Sequence, residues 1–243
     1  MKIRVFETMR EASVAGAEII AEAMKGAGRT VLGLATGSTP VAMYRELARR
    51  CDAGELDFSN VHTYNLDEYV GLDGAHSQSF RYFMDTNLFD HINIDKGNTH
   101  VPSGTGADHA ADARRYDEMI EAEGGIDVQV LGIGNNGHIG FNEPDSVFYR
   151  DTHVVDLTDS TIDANKRFFE RREDVPRQAI TLGMGGIMRA RKIILLAFGE
   201  GKAKAVREMV GSTIDPAHPA SILQLHGDVT LLLDRAAAAN LVD

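Results

Sequence analysis

The sequence predicts an α/β fold: a single domain with a doubly wound, mostly parallel β-sheet and helices on both faces. Short apolar runs alternate with longer amphipathic stretches along all 243 residues, which is the pattern of parallel strands connected by helices. No linker, low-complexity tract or internal repeat interrupts the alternation, so residues 1–243 are predicted to form one domain. Ligands of open parallel sheets bind at the carboxyl ends of the strands. The loops that follow strands are therefore the expected positions of a site.

Strands are predicted where a short apolar run lies between glycine or polar residues. They cover residues 3–6, 30–35, 61–66, 98–101, 126–133, 153–157, 192–198 and 229–233.

Helices are predicted where apolar residues recur at helical spacing, as Phe80 and Met84 do. They cover residues 8–25, 40–50, 77–91, 107–123, 159–169, 178–189, 202–210, 219–225 and 235–241. The first ends at Gly26, and the second has Pro40 in its first turn, where a missing N–H is tolerated. Three glycines weaken the helix predicted over 178–189.

The composition narrows the class of protein. A net charge of −11 argues against a nucleic-acid-binding surface, because such surfaces carry a basic excess. No apolar run approaches about 18 residues and no leader pattern follows Met1, so the chain is predicted to be cytoplasmic and to make no membrane contact. The single cysteine, Cys51, excludes an intramolecular disulfide, and we interpret it as a spare thiol at a helix end rather than as a nucleophile.

A glycine-rich loop, residues 132–144, follows a predicted strand and contains His138 and Glu143. Glycine lets the backbone turn sharply and approach a ligand closely, and an imidazole near a carboxylate can move protons near neutral pH. The loop is therefore a candidate catalytic site. It also matches the dinucleotide fingerprint Gly-x-Gly-x-x-Gly, with Asp156 about 20 residues further on. We discount that alternative, because Pro144 leaves no room for the long helix that should follow.

A second strand-end loop, residues 35–40, combines Gly37 with the hydroxyls of Ser38 and Thr39 at the start of a helix. Such a helix N-terminus suits an oxyanion, especially a phosphate. The loop lacks the lysine of a nucleotide-binding P-loop, so a nucleoside triphosphate is disfavoured. The residues alone leave simple helix capping by Ser38 or Thr39 as an equal alternative.

Asp67 and Glu68 follow the predicted strand 61–66, at a position where a carboxylate could act as a base. Neighbours in an extended backbone point in opposite directions, so at most one of the two is expected to face a ligand. The alternative is a solvated acidic turn. Two cations, Arg167 and Lys202, are either anion ligands or ordinary surface charges, and Lys202 is the better placed because it follows a strand and a glycine turn.

Five stretches that contain these residues resemble the glucosamine-6-phosphate deaminase family. They are residues 32–40, 65–72, 134–144, 165–169 and 223–226. They occur in the family's order and span nearly the whole chain, so the combination is specific although each stretch alone is not. The resemblance implies a modified doubly wound (Rossmann-like) fold and the conversion of glucosamine 6-phosphate and water to fructose 6-phosphate and ammonia in amino-sugar breakdown. It implies no metal and no organic cofactor, and a small-molecule sugar phosphate rather than nucleic acid or a membrane as the partner.

The resemblance also assigns roles to residues. Asp67 is implied as the base that carries a proton from C2 to C1 of the open-chain sugar. His138, tuned by Glu143, is implied to open the sugar ring. Some members carry Asp where this chain has Asn136, so orientation and hydrogen bonding are expected of Asn136. The implied phosphate-binding residues are Gly37, Ser38, Thr39, Arg167 and Lys202, and His76 is implied as part of a mobile lid.

The expected regulation differs from that of some members. Members activated by N-acetylglucosamine 6-phosphate bind it with a serine, an arginine and a lysine that follow the Glu-Pro pair. The corresponding positions here are Ser146, Val147, His153 and Val155. Only the serine is kept, so no such activation is predicted. The chain ends soon after Asp234, which places a hexamer in doubt and leaves a monomer or a homo-oligomer open.

Three alternative functions were weighed against the deaminase. A 6-phosphogluconolactonase-like hydrolase has a similar glycine-rich histidine loop, but Glu143 directly before Pro144 and the acidic loop at 67–69 favour the deaminase. A deaminase for the galactosamine epimer differs at one hydroxyl, which the sequence does not resolve. A non-catalytic sugar-phosphate sensor is disfavoured, because the chain has no helix-turn-helix extension and retains Asp67, His138 and Glu143 together.

Overall fold

The computed structural model describes residues 1–26, 28–166 and 169–241, with only the backbone described at 160, 164 and 165. Its strands are β1 (Lys2–Phe6), β2 (Thr30–Leu34), β3 (Val61–Asn65), β4 (Asp67–Tyr69), β5 (Thr99–His100), β6 (Val128–Leu131), β7 (His153–Asp156), β8 (Gln178–Thr181), β9 (Lys192–Ala197) and β10 (Val229–Asp234). Its α-helices are α1 (Met9–Met24), α2 (Val41–Asp52), α3 (Phe80–Asn87), α4 (His109–Ala122), α5 (Asp159–Asn165), α6 (Met184–Met188) and α7 (Ala203–Met209). Short 3₁₀ helices cover Phe89–His91, Lys96–Asn98, Arg172–Asp174, Glu200–Lys202 and Pro219–Leu225.

The strands form a large parallel sheet and a small antiparallel one. The large sheet has seven strands in the order β1-β10-β9-β6-β2-β3-β5, and the small sheet has the order β4-β8-β7. Strands β2 and β6 are buried along their whole length, as expected for parallel strands covered on both faces. The predicted mostly parallel α/β sheet is thus confirmed. Among the helices of the described ranges, none is long and apolar enough to cross a membrane.

The chain passes from the large sheet to the small one at Leu66. The Leu66 N–H donates to the Leu34 carbonyl (3.0 Å) at the end of the pairing between β2 and β3. The Leu66 carbonyl then accepts from the Leu182 N–H (2.7 Å), and β4 continues as the antiparallel partner of β8. Residues 67–69, expected to form a loop, are therefore a strand. Asp67 lies where the carboxyl edge of the large sheet meets the small sheet.

Two predicted helices are wrong. Residues 178–189 form β8 and then the short α6 rather than one helix. Strand β8 pairs on both sides, with β4 and β7, so sheet pairing and burial outweigh a local helical pattern that glycines already weaken. Residues 235–240 form turns. The Asp234 carboxylate accepts the Ala237 N–H (2.7 Å) there, and so short a run does not sustain a helix by itself.

A second hydrophobic cluster lies apart from the main core and joins the elements around the small sheet. Its buried members are Tyr69, Phe141, Leu157, Ile162, Val175 and Ala179. The rings of Tyr69 and Phe141 lie 5.7 Å apart between centroids, which packs β4 against the glycine-rich loop. Ile162 brings α5 to the same cluster. Three separate segments that carry candidate site residues are therefore held by one set of apolar contacts.

Candidate active site

Asp67 is a buried carboxylate at the junction of the two sheets. Only 6% of the residue is exposed. Burial, with a smaller contribution from the charge of Glu68, raises the pKa of Asp67 to about 8. Within the part of the chain that the structure describes, no hydrogen bond to this carboxylate offsets that effect. A carboxyl group of this kind exchanges a proton readily near neutral pH.

Glu68 has a different position and a structural role. Its Oε1 accepts the N–H groups of Tyr69 (2.8 Å) and Phe80 (2.9 Å), and its Oε2 accepts the N–H of Arg81 (3.0 Å). The bonds to Phe80 and Arg81 satisfy free donors in the first turn of α3. The two adjacent acids are both buried, so the alternative of a solvated acidic turn is wrong.

His138 and Glu143 face each other across the glycine-rich loop. His138 Nδ1 lies 3.3 Å from Glu143 Oε1. Asn136 joins them, because its Nδ2 donates to Glu143 Oε2 (2.6 Å) and its Oδ1 accepts the His138 N–H (3.2 Å). Asn136, His138 and Glu143 therefore form one connected network.

The Glu143 carboxylate is strongly held in its ionised form. Burial alone raises its pKa, but the close approach and charge of His138, with hydrogen bonds from Thr161 and Asn136, outweigh burial and lower the pKa to about 2. Asp67 and Glu143 thus have pKa values displaced in opposite directions, which is a common basis for different proton-transfer roles within one site.

Two glycines let the loop adopt this shape. A Cβ at Gly134 would lie 2.4 Å from the His138 ring, so the imidazole occupies space that any side chain there would fill. Gly140 has a φ of +58°, in the left-handed region, and a Cβ there would lie 3.0 Å from Thr181 Oγ1 and 3.5 Å from Asp67 Oδ2. Gly140 is therefore the point at which the loop closes onto Asp67.

Strand β8 fixes the loop beside Asp67. Thr181 pairs with Asp67 across β8 and β4, and its Oγ1 accepts the Phe141 N–H (3.1 Å). The Asn142 side chain donates to the carbonyls of Ile139 (3.0 Å) and Leu182 (2.9 Å). The structure thus brings the two halves of the predicted catalytic set together through residues 181 and 182.

The loop at Gly37, Ser38 and Thr39 joins the carboxyl end of β2 to the start of α2. Gly37 has a φ of +89°, and the N-cap residue of α2 is Pro40, which makes no side-chain cap. Simple capping by Ser38 or Thr39 is therefore not observed. Gly37 and Ser38 are exposed, so the loop presents its groups to solvent at the carboxyl edge of the large sheet, where an anion could reach them.

Lys202 is a half-buried cation beside the glycine-rich loop. Burial lowers its pKa, and among the described residues no carboxylate pairs with it. A Cβ at the preceding Gly201 would lie 3.9 Å from the Asn135 side chain, which places Lys202 next to that loop. A desolvated ammonium without a partner is suited to an anionic ligand. Arg167, the other predicted cation, lies outside the described residues.

His76, the implied lid residue, is exposed in the loop before α3. Its Nδ1 accepts the Gln78 N–H (3.1 Å), and its own N–H donates to the Asp73 carbonyl (2.9 Å). These contacts are local, and none of those found in the described ranges joins His76 to Asp67 or His138.

Sequence reasoning missed residues that hold the site in place. Thr161 donates a hydrogen bond to Glu143 Oε1 (2.6 Å), and Thr181 and Asn142 anchor the loop as described above. Thr161 lies in the first turn of a helix whose start is rich in hydroxyl residues, a pattern that predicts a helix cap and gives no sign of a distant carboxylate. Only the fold reveals these contacts.

A cavity of about 190 Å³ lies on the other side of Glu143. Three of the four positions matched to activator binding line it, namely Val147, His153 and Val155. Asp145 and Asp156 also line it. In the described ranges, no group of three or more His, Cys, Asp or Glu side chains is arranged to hold a metal ion.

Comparison with known proteins identifies the family. The family model for glucosamine-6-phosphate isomerases/6-phosphogluconolactonase matches residues 6–232. A glucosamine-6-phosphate deaminase of Thermoanaerobacter sp. (strain X514) is 52% identical over 243 residues, which cover 100% of this chain and 96% of the relative. One of Clostridium perfringens (strain 13 / Type A) is 54% identical over 238 residues, which cover 98% of each.

Solved structures show the same relationship. A monomeric glucosamine-6-phosphate deaminase superposes with a TM-score of 0.96 at 42% identity, covering 99% of this chain and 100% of that one. A 6-phosphogluconolactonase from Leishmania guyanensis superposes with a TM-score of 0.79 at 23% identity, covering 100% and 99%, which shows a shared fold alone. The chain therefore belongs to the family of glucosamine-6-phosphate isomerases and 6-phosphogluconolactonases, and within it to the glucosamine-6-phosphate deaminases.

Proposed function

We propose that this protein converts glucosamine 6-phosphate and water to fructose 6-phosphate and ammonia by ring opening, aldose–ketose isomerisation and deamination. The observation that carries the proposal is a buried carboxyl, Asp67, to which no described residue donates a hydrogen bond, next to a loop that holds the His138–Glu143 pair. Two distinct sets of proton-transfer groups match a reaction with two distinct proton-transfer stages. The shared ancestry with glucosamine-6-phosphate deaminases supports the same assignment.

The first stage opens the sugar ring. A proton leaves the C1 hydroxyl, a proton reaches the ring oxygen, and the C1–O5 bond breaks. His138 is the group assigned to these transfers, because an imidazole can both accept and donate a proton near neutral pH. Glu143, kept ionised at 3.3 Å, stabilises the imidazolium when His138 carries the proton. Asn136 orients both.

The second stage moves a proton along the open chain. Ionised Asp67 takes the C2 proton while the C1 oxygen takes a proton from the C2 ammonium, which gives an enolamine. Asp67 then returns its proton to C1, which gives a protonated ketimine. Water adds at C2 and the C2–N bond breaks, releasing ammonia and leaving the ketone of fructose 6-phosphate. Proton transfer by a positioned carboxylate contributes roughly 10²–10⁴-fold to the rate.

The phosphate is assigned to the Gly37–Thr39 loop, Lys202 and Arg167. Support comes from the start of α2, where no side chain caps the helix, and from the half-buried Lys202 ammonium, which no described carboxylate pairs with. Binding energy from this remote group fixes the sugar over the reacting carbons. A sugar phosphate that is handled inside the cell supports the predicted cytoplasmic location.

An assay that couples ammonia release to fructose 6-phosphate formation tests the proposal. We expect turnover of glucosamine 6-phosphate by the wild type and a loss of roughly 10²–10⁴-fold in Asp67→Asn, because an amide cannot take the C2 proton. Undiminished turnover in that variant would remove Asp67 as the base.

The same assay separates the alternatives. Hydrolysis of the phosphogluconolactone without ammonia release would assign a lactonase, and faster turnover of galactosamine 6-phosphate would assign the epimer. Sugar-phosphate binding without any turnover would assign a sensor.

A further inference from the structure

We propose that Thr161 is a positioning residue for the acid–base pair, because its hydroxyl, delivered by α5, fixes the Glu143 carboxylate opposite His138. The catalytic consequence rests on the function proposed above. The structural claim, that the Thr161 hydroxyl fixes the Glu143 carboxylate, does not depend on that function and is tested separately.

The direction of the hydrogen bond follows from the groups around Thr161. The Thr158 hydroxyl lies 3.1 Å from Thr161 Oγ1 and the Thr161 hydroxyl lies 2.6 Å from Glu143 Oε1. A carboxylate only accepts, so the Thr161 proton points at Glu143 and Thr161 Oγ1 is left to accept from Thr158. A hydroxyl that accepts one hydrogen bond becomes a better donor of the next.

Each Glu143 oxygen has its own donor. Asn136 binds Oε2 at 2.6 Å, and Thr161 binds Oε1 on the side that also faces His138. Without the Thr161 hydroxyl, the partner left to Oε1 among the described residues would be the imidazole at 3.3 Å, and the carboxylate would be free to turn about its Cγ–Cδ bond. Because 7% of the Glu143 side chain is exposed, water does not readily replace the lost donor.

Among the described residues, the titratable groups around Glu143 do not replace this hydrogen bond. His138 is the titratable side chain whose proximity lowers the pKa of Glu143. The other titratable groups that line the adjoining cavity are Asp145, His153 and Asp156. Two of these are acids, and an ionised carboxylate cannot donate a hydrogen bond to Glu143. The Thr161 hydroxyl therefore contributes to stabilising the ionised Glu143 carboxylate.

Thr161 also connects the pair to a separate element. It lies 18 residues beyond Glu143, in the first turn of α5, and it is 8% exposed. The next residue, Ile162, is buried in the hydrophobic cluster that contains Phe141 of the glycine-rich loop. The packing of α5 on that cluster therefore fixes the position of the Thr161 hydroxyl, which donates to Glu143 in the acid–base pair.

Three variants test the inference. Thr161→Val removes the hydroxyl and keeps the shape, and Thr161→Ser keeps the hydroxyl and removes the methyl. The matched control is Thr152→Val, because Thr152 donates a 2.6 Å hydrogen bond to Asp117 Oδ1 and is 6% exposed, away from Glu143. Each protein is examined by steady-state kinetics and by a carbon-detected NMR titration of the Glu143 carboxyl.

In Thr161→Val we expect kcat to fall by about tenfold with KM within about threefold of wild type, because the donor acts on the reacting pair and not on the bound phosphate. We expect its Glu143 carboxyl to titrate at least about one pH unit higher than in the wild type. Thr161→Ser should restore both properties, and Thr152→Val should lower stability and leave both unchanged.

Wild-type kcat and an unchanged Glu143 titration in Thr161→Val would overturn the inference. So would a Thr161→Ser protein that behaves like the valine variant, since packing rather than the hydroxyl would then be responsible. A wild type that releases no ammonia would remove the proposed function, and the titration would still decide how Glu143 is held.

Discussion

The Asp67 carboxyl binds a proton more tightly in the folded protein than in the unfolded chain, because burial and then Glu68 raise its pKa to about 8. Between about pH 4 and pH 8 the unfolded chain ionises at this position while the folded protein holds the proton. Stability from this residue is therefore fully present at acidic pH and is lost as the pH rises through that window. The proposed reaction needs the ionised form, so the requirements of folding and of the proposed catalysis oppose each other at this one residue.

Replacement of Asp67 by asparagine should show this opposition as a pH-dependent difference in stability from the wild type. The neutral amide of Asp67→Asn resembles the protonated acid and does not titrate. We expect the free energy of unfolding of the variant, relative to wild type, to increase by about 2–4 kcal/mol between pH 5 and pH 9. Denaturant titrations of both proteins at the two pH values measure this. A constant difference across the range would mean that Asp67 titrates normally in the folded protein.

At the scale of the element, the glycine-rich loop depends on the absence of a side chain at Gly134, because the His138 ring occupies that space. Gly134→Ala places a methyl group 2.4 Å from the His138 ring, so the imidazole must move away from Glu143. We expect kcat to fall by about tenfold or more, since a small misplacement of a catalytic group has a large effect on rate. Gly132→Ala is the matched control, because nothing lies within 4 Å of a Cβ there. Equal kinetics of the two variants would contradict this role of Gly134.

The elements also show what the sequence could not predict. Local patterns identified the parallel strands and the loop containing His138 and Glu143, because burial and glycine content are visible in the chain itself. The local pattern predicts a helix where β8 lies. That prediction is wrong because the conformation of β8 depends on pairing with β4 and β7, which a local pattern does not show. The partnership of Thr161 with Glu143 depends on how α5 packs, which no local pattern reports.

At the scale of the whole molecule, the cavity beside Glu143 bears on regulation. Carboxylates line it at positions 143, 145 and 156, and His153 is the imidazole among its lining residues. This charge distribution is unfavourable for a phosphate dianion. We expect saturating N-acetylglucosamine 6-phosphate to leave the half-saturation concentration of glucosamine 6-phosphate within about twofold. A marked lowering in initial-rate assays would show that the protein is activated despite the loss of the basic residues.

The passage of the chain from one sheet to the other at Leu66 also decides which acid reaches the substrate. Because side chains alternate along a strand, a slip of β4 by one residue against β8 would exchange the faces of Asp67 and Glu68. The three hydrogen bonds between Glu68 and the N–H groups of residues 69, 80 and 81 would break in such a slip. Glu68 therefore favours the alignment in which Asp67 faces the site, and the acid with the structural role determines which acid is available for the proposed chemistry.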